Sequence, residues 1–360
     1  LFRTLWSHLV PQLDNASFSE AEKLAKAGCI FSFPVATVLA RWKKYWPQVL
    51  VFWIAGLFLH VGVTIDHWYS PGLISDILNK PLERLSFAYS ATNMGLWSVL
   101  ILLALLVPPL RPFWPVRTRK EYWLAGLWLG TVLILILFLL ASKTRGAWLI
   151  FGVLTPIVLW LDLFRQRRFV QSLVVLVLCC LFLGLLIKVP YVKHRIMSEE
   201  TALIKIWKGK WQDVQSRSLG DRIHMYSLFL DKAAQAPVWG YGLGSSRSLL
   251  KASGIEHPHF HNSFFEVQIQ LGFLGVVLYF GFWSFMLVSL AQKILTEPDS
   301  PWPVLLVTQI VAFALFALTH DPLGSHNGPF VLTVLSGFAL GVRISSDDLN
   351  QQTHRNSVFQ

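Results

Sequence analysis

An all-α, polytopic membrane bundle is the fold class this sequence predicts, and three observations predict it. The 360 residues are 54% hydrophobic and only 14% charged, with a mean hydropathy of +0.51, whereas a soluble domain carries about a quarter charged residues. Apolar runs approaching bilayer length recur along the chain, about nine of them if roughly 20 residues make a span. Basic residues fall in every second connecting loop, the pattern that orients membrane helices. Disorder, collagen and a disulfide scaffold are excluded by 14% aromatics, no glycine repeat and 3 cysteines. Cys29, Cys179 and Cys180 all lie in apolar runs and show neither disulfide nor zinc spacing.

The predicted spans lie near 28–40, 47–65, 93–110, 121–141, 146–163, 169–189, 263–291, 303–319 and 327–343. They are apolar all round, as buried or lipid-facing helices are. Arg41, Lys43 and Lys44 follow the first, and Arg111, Arg117, Arg119 and Lys120 the third. Arg165, Arg167 and Arg168 follow the fifth, Lys293 the seventh, and Arg343 closes the ninth. Those loops are assigned to the cytoplasm together with the tail 344–360. The four regions expected are N-terminal transmembrane helices over 1–189, a long outer loop over 190–262, C-terminal transmembrane helices over 263–343, and the tail. The chain begins at Leu1 without an initiator Met or the parts of a signal peptide, and an incomplete N-terminus is expected.

The net charge of +11 would point to nucleic acid in a soluble chain. Here the basic residues set topology or sit in the long outer loop, so no nucleic-acid partner is expected. That loop is net basic on the outer face, and long loops are exempt from the orientation bias. It is either a solvated loop domain or a cap that binds an anion such as a phosphate-bearing headgroup.

Candidate residues gather at segment ends on the outer side. Arg84 lies in E-R-L-S-F-A-Y-S-A-T-N, before the third span. Arg145 lies in S-K-T-R-G-A-W, between two spans with almost no loop. An arginine in hydrocarbon costs about 2.5–3.5 kcal/mol even on the lenient scale, so Arg145 should face a polar cavity or snorkel to headgroups. Arg222 lies in S-L-G-D-R-I-H-M-Y, on an amphipathic helix whose apolar face is expected to hold Ile223, Tyr226, Phe229 and Leu230. That helix stops before Pro237, and the glycines of G-Y-G-L-G give a sharp backbone path or a weak phosphate-binding signal.

His257, His259 and His261 follow at spacings of two. Three histidines on one face of an extended segment are how a metal site arises, but acidic or thiol ligands are scarce nearby, and none is assigned. Asn262 or Ser263 would cap the seventh span, leaving His261 at the positive end of that helix. A ring kept neutral there can accept a proton; the alternative is an interfacial histidine without a role. Gly272 and Gly275 read as positions of close helix packing. The last outer turn adds His320 and Asp321.

These motifs resemble the bacterial O-antigen ligases, within the wider ligase and polymerase superfamily. His261-Asn262, nine residues, then Gly272-x-x-Gly275 is similar to that family's H-N-x(9)-G-x-x-G signature. S-K-T-R-G-A-W resembles its short outer turn with Arg145, S-L-G-D-R-I-H-M-Y its outer-loop helix with Arg222, and E-R-L-S-F with Asn93 a third segment with Arg84. The resemblance implies a GT-C-like bundle of about twelve spans, so helices are expected before Leu1. It implies an inverting, metal-independent glycosyltransferase without a cofactor, in the bacterial inner membrane with its active site on the periplasmic face. The donor would be a polysaccharide on undecaprenyl pyrophosphate, the acceptor a sugar hydroxyl of lipid A–core, and membrane lipids the surroundings. His261 would be the general base, Arg222, Arg145 and Arg84 the pyrophosphate contacts, and Asn262, Asp321 and His320 supporting residues. A polymerase or a protein O-oligosaccharyltransferase would share the donor, and a polysaccharide transporter would instead place charges deep inside broken helices.

Overall fold

The computed structural model describes residues 91–106, 118–165, 217–297, 300 and 302–321, with isolated positions at 51 and 55, between 170 and 209, and between 335 and 339. Among them the only regular secondary structure is helix: α1 (Ala91–Leu106), α2 (Arg119–Ser142), α3 (Arg145–Arg165), α4 (Arg217–Gln235), α5 (Ser245–Ala252), α6 (Ser263–Thr296) and α7 (Trp302–Ala317). The predicted spans at 93–110, 121–141, 146–163, 263–291 and 303–319 thus correspond to α1, α2, α3, α6 and α7. Those at 28–40 and 47–65, and most of 169–189 and 327–343, lie outside the described residues.

Among the described residues two helices, Glu121–Ser142 and Ser263–Thr296, are long and apolar enough to cross a membrane; Met94–Leu106, Arg145–Leu161 and Trp302–Ala317 are shorter apolar helices. Burial decides what the long ones are for. In each, only 22% of the most apolar stretch is buried within the protein, whereas the core helix of a soluble protein is mostly covered. On α2 the exposed side chains include Trp123, Leu127 and Leu133, a surface suited to hydrocarbon.

The chain forms two compact units. Of the described residues, 91–106, 118–165, 287–297 and 302–316 fall in the second. Its centre is α1, where every residue from Leu96 to Leu105 is buried. Thr118 starts α2 with a capping box: its hydroxyl accepts from the Glu121 N–H at 3.3 Å, and its own N–H donates to the Glu121 carboxylate at 3.2 Å. The helix ends at Lys143, in the left-handed region at φ 47°, whose N–H closes back on the Leu140 carbonyl. Gly95 of α1 lets this turn approach: a Cβ there would lie 3.0 Å from both the Ser142 hydroxyl and Thr144 and 3.1 Å from Ala147. Elsewhere α1 is tied by Trp128 Nε1 to the Leu105 carbonyl (3.0 Å) and by Gln309 Nε2 to the Leu100 carbonyl (2.8 Å).

The first unit is built mainly from residues 217–286 and 317–321. Here α4 and α5 pack on the start of α6 around buried Met225, Leu250, Phe260 and Ile269. Phe265 of α6 stacks on Phe229 at 3.8 Å between ring centroids and meets Tyr226 edge-on at 4.9 Å. The amphipathic reading of α4 holds, with one correction. Leu230 is 68% exposed and Met225 is buried in its place, because the packed face runs through 225, 226 and 229 and carries Leu230 outward.

A larger correction concerns Gly272 and Gly275. They are not a helix-packing face, and α6 is not one continuous helix. At Gly272 the backbone takes φ 66°, ψ −164°, a conformation only glycine adopts without strain, and the helix breaks. The break strands main-chain groups about 13 Å from the helix start. The segment 237–242 takes them up. Tyr241 and Gly242 donate their N–H groups to the Ile269 and Gln270 carbonyls at 2.8 and 3.0 Å. Phe273 and Leu274 donate to the Pro237 and Val238 carbonyls at 2.8 and 3.4 Å. A Cβ on Gly272 would collide with the Val238 carbonyl, and one on Gly240, itself at φ 67°, would lie 2.6 Å from the Ile269 carbonyl oxygen. Gly275 faces Leu271 across the break, where a side chain would clash.

Gly272→Ala and Gly240→Ala should therefore each destabilise the detergent-solubilised protein by about 1–3 kcal/mol or more, since strain adds to collision. Gly126→Ala in α2, where a Cβ meets nothing within 4 Å, should leave the melting temperature unchanged or raise it slightly. Equal melting temperatures for all three variants would contradict the break.

Candidate active site

The site is built where the loop after α5 enters α6. Asn262 is the N-cap: its Oδ1 accepts from the Phe264 and Phe265 N–H groups at 2.9 and 3.4 Å, and its carbonyl from Glu266 at 3.0 Å. This settles the choice between Asn262 and Ser263. Ser263 instead donates its hydroxyl to the Asp321 carboxylate at 2.7 Å, both residues being buried. Immediately before the cap, His261 stands in the left-handed region at φ 53°, and its N–H donates to Nδ1 of His259 at 3.3 Å.

The three histidines do meet. His261 packs edge-on against His259 at 4.4 Å and against His257 at 5.1 Å between ring centroids. His257 faces Asp221, with Nε2 to Oδ2 at 3.6 Å. No group of three or more His, Cys, Asp or Glu side chains is arranged to hold a metal ion among the described residues. The half-buried His261 ring keeps a buried Nδ1 without a hydrogen-bond partner among those residues.

Electrostatics fix the protonation state of His261. Burial first, then the neighbouring His259, Arg222, His257 and His320, push its pKa from the ordinary 6.5 down to about 3. The imidazole is neutral at physiological pH. His259 is also held below the usual imidazole range, chiefly by burial and against the opposite pull of Asp321.

Arg222 reaches this cluster because of how α4 packs. Residues 222, 226 and 229 lie on one helical face, and Tyr226 and Phe229 are fixed on Phe265. Arg222, one turn earlier, therefore sits close enough for its charge to act on His261. The structure thus brings together His261, Asn262, Arg222, His320 and Asp321 within one unit. Arg145 belongs to the other unit, as the half-buried first residue of α3, after the buried turn Ser142, Lys143 and Thr144. That turn is held by Trp148 Nε1 on the Leu139 carbonyl at 2.7 Å and by the Ser142 hydroxyl on the same carbonyl at 2.7 Å. Arg84 lies outside the described residues.

Sequence reasoning missed Glu266 and Gln270, both buried one and two turns into α6. Glu266 accepts the Phe260 N–H and, at 2.9 Å, the Gln270 amide. The signal was their spacing of four in an apolar span, which places two polar side chains on one face.

Residues 130–280 match the family model described as O-antigen ligase. Over that segment, somewhat less than half of the chain, the sequence is similar to the O-antigen ligase family. The match runs from within α2 past the break in α6, so it takes in Arg145, Arg222, His261 and Gly272, while Arg84, His320 and Asp321 lie beyond it. No curated protein matches the chain. Members of the superfamily are membrane-integral enzymes of glycosyltransferase type, in keeping with the two lipid-suited helices.

Protonation of His261 also makes a stability prediction. Above pH 6.5 the ring is neutral folded or unfolded. Between 6.5 and about 3 the unfolded chain takes up a proton that the folded ring refuses, so stability falls as pH drops through that window. The decrease in melting temperature from pH 7 to pH 5 should be smaller in His261→Asn than in the wild type. An identical decrease would show that His261 titrates alike in both states.

Proposed function

We propose that this protein is an O-antigen ligase. It transfers a polysaccharide from undecaprenyl pyrophosphate to a sugar hydroxyl of lipid A–core at the periplasmic face of the bacterial inner membrane. The observation that carries this is the pairing of a neutral His261 with the cationic Arg222 at the capped start of a broken membrane helix. Glycosyl transfer from a lipid pyrophosphate requires those two functions, a base for the incoming hydroxyl and positive charge for the leaving group.

In this reading the acceptor oxygen attacks the anomeric carbon of the donor while its proton passes to the His261 imidazole. The bond from that carbon to the pyrophosphate oxygen breaks, the electron pair leaves with the pyrophosphate, and a single displacement inverts the centre. Arg222 stabilises the charge developing on the leaving group. Arg145 and Arg84 take the same role on the motifs that carry them, and Asp321 and His320 support the cap. The base should contribute roughly 10²–10⁴-fold.

A base with a pKa of about 3 is weak, and the donor corrects this. Arg222 is one of the charges that depress His261, so a bound pyrophosphate that neutralises Arg222 makes the ring more basic in the complex than in the free enzyme. A transporter reading draws on the break at Gly272, but there the freed backbone groups are occupied by the 237–242 segment.

The test is complementation of a ligase-null Gram-negative host that supplies the donor and core, with membrane levels matched. Wild type should restore the lipopolysaccharide ladder on a gel, and His261→Ala should not. Lipid-linked polymer or glycosylated protein in place of a ladder would replace ligation with polymerisation or protein transfer. A ladder from His261→Ala would remove the general base.

The acid limb of the rate profile gives a second prediction. Activity requires neutral His261, so it falls as pH drops through the operative pKa. The limb for kcat, which reports the donor complex, should lie at higher pH than the limb for kcat/KM. In Arg222→Ala the kcat/KM limb should shift upward while donor turnover falls. Coincident limbs in wild type and Arg222→Ala would contradict the coupling.

A further inference from the structure

The His261 backbone is connected to the glycine segment by a buried row of side chains. The Phe260 N–H, one residue before His261, donates to Oε1 of Glu266. Oε2 of the same carboxylate accepts from Nε2 of Gln270 at 2.9 Å. Oε1 of Gln270 accepts the Gly244 N–H at 3.2 Å, and its Nε2 also reaches the Ser246 hydroxyl at 3.4 Å. Phe260, Glu266, Gln270 and Ser246 are all buried.

These contacts do a job the helix cap does not. Asn262 fixes where α6 begins, but the chain that arrives there comes through 255–261, a stretch without regular helix. In that stretch His261 must hold a left-handed backbone that a β-carbon disfavours. Glu266 grips the peptide group just before it from inside the helix. Gln270 then carries the hold to Gly244, the residue that starts α5, whose Leu250 packs in the same core as Phe260. The loop is thereby held at both ends by one turn and a half of α6.

We propose that Glu266 and Gln270 are positioning residues for His261, forming a polar strut that sets the imidazole against the acceptor hydroxyl. The assignment rests on the reading of His261 as general base. Neither side chain touches substrate in this scheme. Each acts through the Phe260 peptide and the loop, so losing either should slow the chemical step and leave donor affinity alone.

The strut has a direction, which makes it testable. In these contacts Glu266 accepts through both oxygens, whereas Gln270 both donates and accepts. In the exchanged pair Glu266→Gln, Gln270→Glu, the new amide can accept from Phe260 and donate to the new carboxylate, which can still accept from Gly244 and, with the Ser246 hydroxyl turned round to donate, from Ser246 as well. Every group is again satisfied. In Gln270→Glu alone Glu266 loses the amide N–H that it accepts and a second carboxyl group faces it instead; in Glu266→Gln alone one amide must turn and abandon a partner.

The experiment measures kcat and donor KM in detergent for Glu266→Gln, Gln270→Glu and the exchanged pair, with folding checked by melting temperature. Each single variant should lose kcat on the order of 10²-fold, the cost of a misplaced reacting group, at unchanged donor KM. The exchanged pair should recover most of that loss. A pair as slow as the product of its singles, or singles with wild-type kcat, would overturn the proposal. A second readout is independent of catalysis: hydrogen exchange in the His261→Ala background. There Glu266→Ala should deprotect the Phe260 amide, and Gln270→Ala the Gly244 amide. Unchanged protection would overturn the strut itself. Altered protection together with an active His261→Ala enzyme would overturn only the base on which the kinetic argument depends.

Discussion

Four main-chain hydrogen bonds across the break at Gly272 hold this site in place. A helix interrupted in an apolar span leaves donors and acceptors that hydrocarbon cannot satisfy, at a cost of several kcal/mol for each group. The 237–242 segment supplies both kinds, N–H groups to Ile269 and Gln270 and carbonyls to Phe273 and Leu274. That exchange needs a close approach of two backbones, which explains glycine at both 240 and 272. It also turns residues 263–271 into a short independent helix with its own cap, Asn262, and its own packing partner, α4.

The electrostatic character of the site follows from that short helix. Burial is the largest cost of a charged ring at His261, the neighbouring His259 and then Arg222 add to it, and the positive end of the helix acts in the same direction. A neutral imidazole beside a guanidinium is an arrangement waiting for an anion. The donor pyrophosphate that the proposed reaction requires would fill that role and would at the same time raise the basicity of the ring. Binding of the leaving group and activation of the nucleophile are then two consequences of one charge.

Much of this was legible in the sequence because it depends on composition and local rules. The apolar runs marked the helices, Pro237 marked the end of α4, and the side chain of Asn262 marked the start of α6. The glycines at 240, 242 and 244 marked a sharp path, and all three stand at positive φ. The break at 272 was hidden because a glycine inside an apolar run looks the same whether it serves packing or a left-handed turn. Only the non-local partner, 237–242, tells them apart. Glu266 was hidden for a similar reason: an acidic residue in the first turn of a helix is the usual complement to its dipole. Its hold on Phe260 exists only once the loop has folded back. Leu230 was misplaced by one position of helical phase, since burial there is set by the aromatic contacts of Phe265.

The most direct test is the titration of His261 itself, followed by NMR on imidazole-labelled protein with His261→Asn as the assignment control. The account predicts a ring that stays neutral from pH 8 down through pH 5 in the free protein, and whose pKa rises when inorganic pyrophosphate is added. A ring that titrates near pH 6.5 and ignores pyrophosphate would contradict it.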